Sequence, residues 1–174
     1  MIKVKSSKLK DVKIIEYSIF EDFRGHYIET YNEELYRKNN INIKFIQDDV
    51  SISSRNVLRG LHGDHNTWKL ITCLEGKFIL AVVNCDKSSK YFGKWETFTL
   101  SDSNKIQILV PPKYANGHLV LSEKAIFHYK QSTYYKGAKK QFTYKWDDPF
   151  FNIGWPINDP ILSIRDKDAK YIKI

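Results

Sequence analysis

The strongest constraint on the fold is a series of short runs of β-branched and aromatic residues, each bounded by turn residues. Runs of this kind at a spacing of about 8–12 residues are typical of antiparallel sandwiches and barrels. Phe78–Asn84 is apolar at nearly every position, which indicates a strand covered on both faces. Glu75-Gly76, just before it, predicts a tight hairpin. The pattern predicts an all-β jelly roll of two antiparallel sheets, with strands at Val12–Tyr17, His26–Tyr31, Phe45–Ser51, Val57–Leu61, Trp68–Leu74, Phe78–Asn84, Trp95–Leu100, Lys105–Val110, Gly117–Leu121 and Ile126–Gln131.

Two further segments carry local signals. Asn32–Lys38 predicts a short flanking helix, because Asn32 can cap its first turn and the two glutamates that follow suit the positive end of the helix dipole. Asp147–Pro160 holds three prolines and predicts an ordered arm. We expect this arm to pack over a barrel mouth or a partner subunit.

The chain is the size of one ordinary domain. Its 174 residues contain no internal repeat or linker, so we expect a single domain over residues 1–174. No apolar run approaches the roughly 18–20 residues of a membrane span, and no apolar stretch follows the lysine-rich start as in a signal peptide. Cys73 and Cys85 lack a CxxC pattern, which argues against a disulfide scaffold or a zinc ribbon. We expect a cytoplasmic protein without a membrane partner.

The net charge of +8 decides less than it suggests. Only five of the 28 basic residues are arginines, and the lysines are spread along the whole chain. Nucleic-acid-binding proteins more often cluster their basic side chains on one face. A solvated lysine-rich surface is therefore favoured, an anionic small molecule is the second possibility, and we expect no nucleic-acid partner.

The densest group of polar residues is Arg59-Gly60-Leu61-His62, followed by Lys69. Strand alternation puts Arg59 and Leu61 on one face and Gly60 and His62 on the other, with room for a ligand beside the imidazole. A histidine near a lysine is a proton-transfer arrangement, with a base of near-neutral pKa and a cation for developing negative charge. On spacing alone, a hydrogen-bonded core histidine and a surface lysine remain the commoner alternative.

A metal site and a tyrosine acid were also considered. His62-x-x-His65 with Glu75 does not have the spacing of a histidine and glutamate metal site, so no metal is expected. Tyr129 lies on a predicted strand, where its hydroxyl could act as a general acid or simply form a hydrogen bond at the rim of the core.

Seven segments stand in an order and at a spacing typical of one known family: Asp22-x-Arg-Gly-x-x-x-Glu29, Phe45-Ile-Gln-Asp48, Val57-Leu-Arg-Gly-Leu-His62, Lys69-Leu, Phe92-Gly-Lys-Trp95, Val110-Pro and Tyr129-Lys-x-x-x-Tyr-Tyr135. Together they resemble the dTDP-4-dehydrorhamnose 3,5-epimerase family. The resemblance runs from about Asp11 to Asp168. It implies a cupin-type β jelly roll, usually a homodimer, that acts on nucleotide-linked 4-keto-6-deoxy sugars with no metal or organic cofactor.

The resemblance also implies residue roles. His62 matches the catalytic base, Asp166 the carboxylate that pairs with it, Lys69 the cation beside the ketone oxygen, and Tyr129 the acid on the opposite face of the sugar. Further positions match those that hold the nucleotide diphosphate and sugar: Arg24, Glu29, Gln47, Arg59, Tyr135 and Arg165. The implied function is an isomerase that removes a proton next to the ketone and returns one from the other side, in the synthesis of polysaccharide precursors.

The chain departs from the family pattern near the expected sugar site. Asn116 stands where the family has a histidine in its Ala-His-Gly segment, and His118 follows two positions later. Gly63-Asp64 replaces an aromatic residue and a glutamine, and the loop to Lys69 is shorter. Because of these changes, three properties of the substrate and reaction stay open. The nucleotide is dTDP or GDP, the sugar is a hexose or a heptose, and inversion occurs at C3 alone or at C3 and C5. A 3,4-ketoisomerase and a non-catalytic sugar-binding jelly roll are the alternatives.

Overall fold

The computed structural model describes residues 2–173 and consists almost entirely of β-strands and turns. Two short α-helices, α1 (Glu33–Lys38) and α2 (Ile164–Lys167), and one 3-10 turn (Ala138–Lys140) flank the strands. The strands are β1 (Ile2–Ser6), β2 (Lys13–Tyr17), β3 (Ile19–Asp22), β4 (Gly25–Ile28), β5 (Gln47–Ser54), β6 (Leu58–Gly63), β7 (Lys69–Glu75), β8 (Lys77–Asn84), β9 (Trp95–Ser101), β10 (Ile106–Val110), β11 (Tyr114–Val120), β12 (Lys124–Gln131) and β13 (Phe142–Thr143).

Two antiparallel sheets form the body of the molecule. One has the order β1-β2-β10-β7-β12-β5 and the other β13-β6-β11-β8-β9, while β3 and β4 pair as a separate hairpin. Their facing sides bury a core that includes Ile71 and Ile108 from the first sheet and Phe78 and Leu100 from the second. This arrangement confirms the predicted jelly roll of two sheets.

The outer faces of the two sheets are covered by different segments. Tyr36 of α1 and the chain around it pack on the six-stranded sheet in a second cluster with Leu70 and Leu109. Phe151 and Ile153 of the C-terminal arm pack on the five-stranded sheet. The expectation that this arm covers a barrel mouth was wrong, because its apolar side chains lie on the outer face of the sheet. Contact of the arm with a partner subunit stays a prediction.

Strand β8 shows the double burial expected from its sequence. Leu80 and Val82 belong to the core between the sheets, whereas Ala81 and Val83 belong to the cluster under the C-terminal arm. Alternate side chains of one strand thus serve two hydrophobic layers, which explains why the whole run is apolar.

Helix α1 forms as its capping residues predict. The Asn32 side chain accepts a hydrogen bond from the Leu35 amide at 3.1 Å, and Tyr36 on the buried face donates to Gln107. Helix α2 was not predicted, although Ser163 caps it and its side chain accepts from the Asp166 amide. Four residues are too few for a helical periodicity to be visible in the sequence.

The predicted hairpin at Glu75-Gly76 was wrong. Strands β7 and β8 belong to different sheets, so the chain crosses from one layer to the other at this point. Gly76 has φ of +79°, and a Cβ there would lie 2.1 Å from the Lys124 carbonyl oxygen. The glycine therefore permits a corner packed tightly on β12.

Within residues 2–173, none of the helices is long and apolar enough to cross a membrane.

Candidate active site

A cavity of about 290 Å³ lies between the two sheets, where β5, β7 and β12 face β6 and β11. Helix α2 closes one side of it. Polar and charged side chains predominate in its wall, in contrast to the apolar core beside it. The lining residues are Ser51, Arg59, His62, Lys69, Asn116, His118, Phe127, Tyr129, Tyr135, Gln141, Ser163, Arg165 and Asp166.

The sequence analysis places twelve residues at the expected site, including Asn116 and His118. Nine of them line this cavity. Gln47 lies behind the wall, where its Oε1 accepts from the Tyr135 amide at 2.8 Å and its Nε2 donates to Asp49. Arg24 and Glu29 do not reach the cavity within one chain. Arg24 lies on the exposed turn between β3 and β4. Its guanidinium group pairs with Asp22, because the turn brings the side chains of these two residues together.

His62 and Asp166 form the central pair of the site. His62 Nε2 lies 2.5 Å from Asp166 Oδ1, and the Ser163 hydroxyl donates to Asp166 Oδ2 at 2.8 Å. The carboxylate is 2% exposed. A carboxylate accepts the Nε2 proton, so the neutral ring keeps its lone pair on Nδ1.

The pKa values of this pair keep the imidazole neutral and the carboxylate charged. Burial lowers the pKa of His62, the charges of Arg165 and Lys69 act in the same direction, and the bond to Asp166 opposes them. Burial by itself raises the pKa of Asp166, but the bonds from His62 and Ser163 and the nearby charge of Arg165 outweigh it, so the pKa falls. The pair is therefore arranged to accept a proton on His62.

Lys69 is a buried cation at the floor of the cavity. It is 6% exposed, and its Nζ donates to Asn116 Oδ1 at 2.9 Å, which joins the two sheets. Burial lowers the pKa of Lys69 to about 8, with Asp64 opposing the effect and Arg165 adding to it. The ammonium group is thus charged at neutral pH and can stabilise a nearby negative oxygen.

Tyr129 stands on the wall opposite His62. It belongs to β12 of the six-stranded sheet, whereas His62 belongs to β6 of the five-stranded sheet. Burial, with smaller contributions from Asp49 and Tyr135, raises the pKa of Tyr129 to about 12. The phenol therefore keeps its proton and can donate it.

Two arginines in the cavity wall form hydrogen bonds to uncharged side chains. Arg59 Nε donates to Ser53 Oγ at 3.0 Å, and Arg165 donates to Thr143 Oγ1 and Gln141 Oε1. Their charges are therefore available to an anionic group such as a diphosphate.

The expected alternation along β6 was wrong. Arg59 and His62 both line the cavity, whereas Leu61 is fully buried in the cluster under the C-terminal arm. The pairing of β6 with β11 shifts register, so that one residue is added between Arg59 and His62, as in a β-bulge. Gly60 makes no room for a ligand. A Cβ there would lie 2.4 Å from Gly117 Cα, so it allows two backbones to approach.

Four lining residues were not predicted: Ser51, Phe127, Gln141 and Ser163. Ser163 precedes Asp166 by three positions, which is the spacing of a capping serine and could have been noticed. Ser51 lies on β5, where every second residue from Gln47 to Ser53 is polar and faces inward. A prediction that places the apolar face of a strand inside would therefore turn this segment the wrong way round.

The residues considered for a metal do not converge. His65 is exposed and its ring contacts Phe142, while Glu75 lies at the end of β7 away from the cavity. Residues 2–173 contain no group of three or more His, Cys, Asp or Glu side chains that could hold a metal ion.

Comparison with known proteins gives a consistent picture. The sequence model of the dTDP-4-dehydrorhamnose 3,5-epimerase family matches residues 6–173. The dTDP-4-dehydrorhamnose 3,5-epimerase of Salmonella typhimurium is 37% identical over 174 residues, covering 97% of this chain and 94% of the relative. The enzyme of the same name from Methanothermobacter thermautotrophicus is 34% identical over 165 residues, covering 92% and 89%.

Solved structures agree with these matches. The dTDP-6-deoxy-D-glucose-3,5-epimerase of Legionella pneumophila, in complex with dTDP-4-keto-L-rhamnose, superposes with a TM-score of 0.93 at 34% identity, covering 98% of this chain and 93% of that one. The dTDP-4-dehydrorhamnose 3,5-epimerase of Elizabethkingia anophelis superposes with a TM-score of 0.87 at 40% identity, covering 98% and 96%.

Proposed function

Because the chain belongs to the dTDP-4-dehydrorhamnose 3,5-epimerase family, we propose that its cavity epimerises a nucleotide-linked 4-keto-6-deoxy sugar at a carbon next to the ketone. The observation that carries this proposal is the pair of proton-transfer groups on facing sheets, His62 on β6 and Tyr129 on β12. A sugar between them exposes opposite faces of one carbon to a base and to an acid.

In the proposed reaction His62 removes the proton. Its Nδ1 lone pair is free because Asp166 holds the Nε2 proton, and the same carboxylate stabilises the imidazolium that forms. A buried carboxylate fixed by Ser163 keeps this geometry in place before substrate binds.

Lys69 stabilises the enolate. Loss of a proton next to C4=O places negative charge on the ketone oxygen, and a preorganised donor is worth on the order of 3 kcal/mol to such a charge. Its bond to Asn116 fixes the ammonium group in the wall of the cavity that His62 and Tyr129 also line.

Tyr129 then donates a proton to the other face, which inverts the carbon. A ketoisomerase that moves the carbonyl between C3 and C4 has no need of an acid on the opposite wall, so the position of Tyr129 favours epimerisation. Arg59 and Arg165, with Tyr135 and Gln47 beside them, are the groups that we assign to the nucleotide diphosphate.

We further propose a homodimer. Strand β5 turns both of its apolar side chains outward, with Val50 56% and Ile52 61% exposed. The β3–β4 hairpin also carries uncovered apolar and aromatic side chains, and Phe23 at its turn is 98% exposed. A second copy that covers these surfaces would bring Arg24 and Glu29 out of solvent and against a neighbouring chain.

Deuterium exchange tests the reaction. The protein is incubated in D2O with dTDP- and GDP-linked 4-keto-6-deoxy hexose, and with the corresponding heptose, and each carbon is examined by NMR. We expect deuterium and inversion at C3, or at C3 and C5. His62→Asn abolishes exchange while nucleotide affinity stays near wild type, and Tyr129→Phe retains exchange at a carbon but loses inversion.

His65→Asn is the matched control for His62, because this histidine lies three positions on, outside the cavity lining. It should exchange at the wild-type rate. Absence of exchange with every nucleotide sugar would refute the enolate mechanism, and a 3-keto product would identify a ketoisomerase instead.

A further inference from the structure

The cavity wall contains two buried polar atoms that the proposed reaction does not use. Ser51 Oγ and His118 Nε2 have no hydrogen-bond partner among the described residues, yet both side chains line the cavity. A buried polar atom left unpaired costs about 1–3 kcal/mol, so two in one wall call for an explanation.

The two side chains form one continuous patch. The His118 ring stacks on Phe127, with ring centres 4.1 Å apart and planes at 9°. Phe127 is in turn the cross-strand partner of Ser51 where β12 pairs with β5. We call Ser51, Phe127 and His118 the serine–histidine patch.

The patch is neutral, unlike the arginines near it. Burial, with smaller contributions from the charges of Arg59 and His62 and with Asp166 opposing them, lowers the pKa of His118 to about 3. His118 is 3% exposed, so its ring stays neutral at working pH and carries one donor and one acceptor nitrogen. It is therefore unsuited to bind a phosphate as a cation, but suited to a neutral hydrogen-bonding group.

We propose that Ser51 and His118 form a specificity subsite for one hydroxyl group of the sugar, an inference that rests on the proposed function. A hydroxyl both donates and accepts, so it can satisfy the serine oxygen and the imidazole nitrogen together, whereas a methyl group would leave both unpaired. His118 lies on β11 two residues from Asn116, which contacts Lys69, so the subsite adjoins the ketone end of the cavity. Phe127 supplies the apolar surface on which the adjacent carbon would rest.

The test compares ligands that differ by one hydroxyl. Isothermal titration measures the affinity of dTDP-glucose, its 2-deoxy and 3-deoxy analogues, and dTDP alone, with the GDP-mannose and GDP series run in parallel. We expect the wild type to lose about tenfold in affinity for one deoxy analogue. His118→Phe keeps the stacked ring but removes the nitrogens, and should abolish that difference while leaving affinity for the bare nucleotide unchanged.

Further variants separate this role from a packing role. Ser51→Ala should reduce the same ligand difference with little effect on folding, and Ser54→Ala, an exposed serine on the same strand, should leave it unchanged. In D2O exchange, His118→Phe should raise KM about tenfold with kcat within about twofold of wild type. Because exchange is measured separately, the proposed reaction can stand even where the subsite fails.

The outcome that overturns the inference is an equal preference for the hydroxyl-bearing ligand in the wild type, Ser51→Ala and His118→Phe. In that case the two polar atoms are satisfied by water rather than by the sugar.

Discussion

Replacing Lys69 by methionine should make the protein more stable and catalytically inactive. Methionine has a similar length and fills the same buried space, but it removes a cation that burial disfavours. The pKa of Lys69 is about 8 in the folded protein against 10.5 for the ordinary side chain. At about 1.4 kcal/mol per pKa unit, the buried charge costs roughly 3 kcal/mol at pH 7.

The variant also loses the hydrogen bond from Lys69 to Asn116. Loss of this bond leaves the buried Asn116 Oδ1 unpaired, which costs about 1–3 kcal/mol, so we expect a net gain of about 1 kcal/mol in the free energy of unfolding at pH 7. Between pH 8 and pH 10.5 the unfolded chain binds more protons than the folded one, so the wild type gains stability as pH rises. The cost of the buried charge falls to about 2 kcal/mol near pH 9, where wild type and variant should become equally stable.

Urea denaturation followed by circular dichroism at several pH values measures this difference, and D2O exchange measures the lost activity, which we expect to fall at least about 100-fold. Lys44→Met, at an exposed position, is the matched control and should show no such pH-dependent gain. A Lys69→Met variant that is less stable than wild type at pH 7, or whose advantage does not shrink with rising pH, would refute the reasoning.

Three other predictions concern the His62–Asp166 pair, the proposed dimer interface and the bulge in β6. Asp166→Asn should reduce exchange by at least about 100-fold with substrate affinity nearly unchanged, because an amide cannot stabilise the imidazolium; equal kcat would contradict this. Ile52→Lys should convert a dimer to a monomer in light scattering, and an unchanged mass would place the interface elsewhere. Gly60→Ala should lower the free energy of unfolding by more than about 3 kcal/mol in urea titration, because its Cβ meets the Gly117 backbone; a wild-type midpoint would mean that the strands can separate without cost.

The sequence predicts those elements that show a clear local pattern, such as a run of apolar side chains or a capping residue. β8 and β12 appear within two residues of their predicted bounds, and Asn32 caps α1 as expected. Strands β1, β3 and β13 were missed, since they are short and carry charged or exposed side chains rather than a buried alternating face. Their pairing depends on neighbours that are distant in the chain.

The site residues also divide into those that the sequence identifies and those that it does not. The sequence identifies His62 and Lys69 as a possible proton-transfer pair, and the resemblance adds the partner carboxylate. The orientation of Arg59 could not be obtained from alternation, because a register shift with β11 decides it. Ser51 was missed for a related reason: β5 turns polar residues inward to a cavity, which a rule of apolar interiors does not anticipate.

The bond between His62 and Asp166 joins residues that are 104 positions apart. The arm that precedes Asp166 in the chain packs through Phe151 and Ile153 on the outer face of the five-stranded sheet. Proteins open locally before they unfold globally, and a terminal arm on a sheet surface is a natural unit of such opening. Undocking of the arm would free the imidazole from its carboxylate while both sheets stay intact. Catalytic activity is thus tied to the docking of the arm, and should be lost in denaturant before the sheets themselves melt.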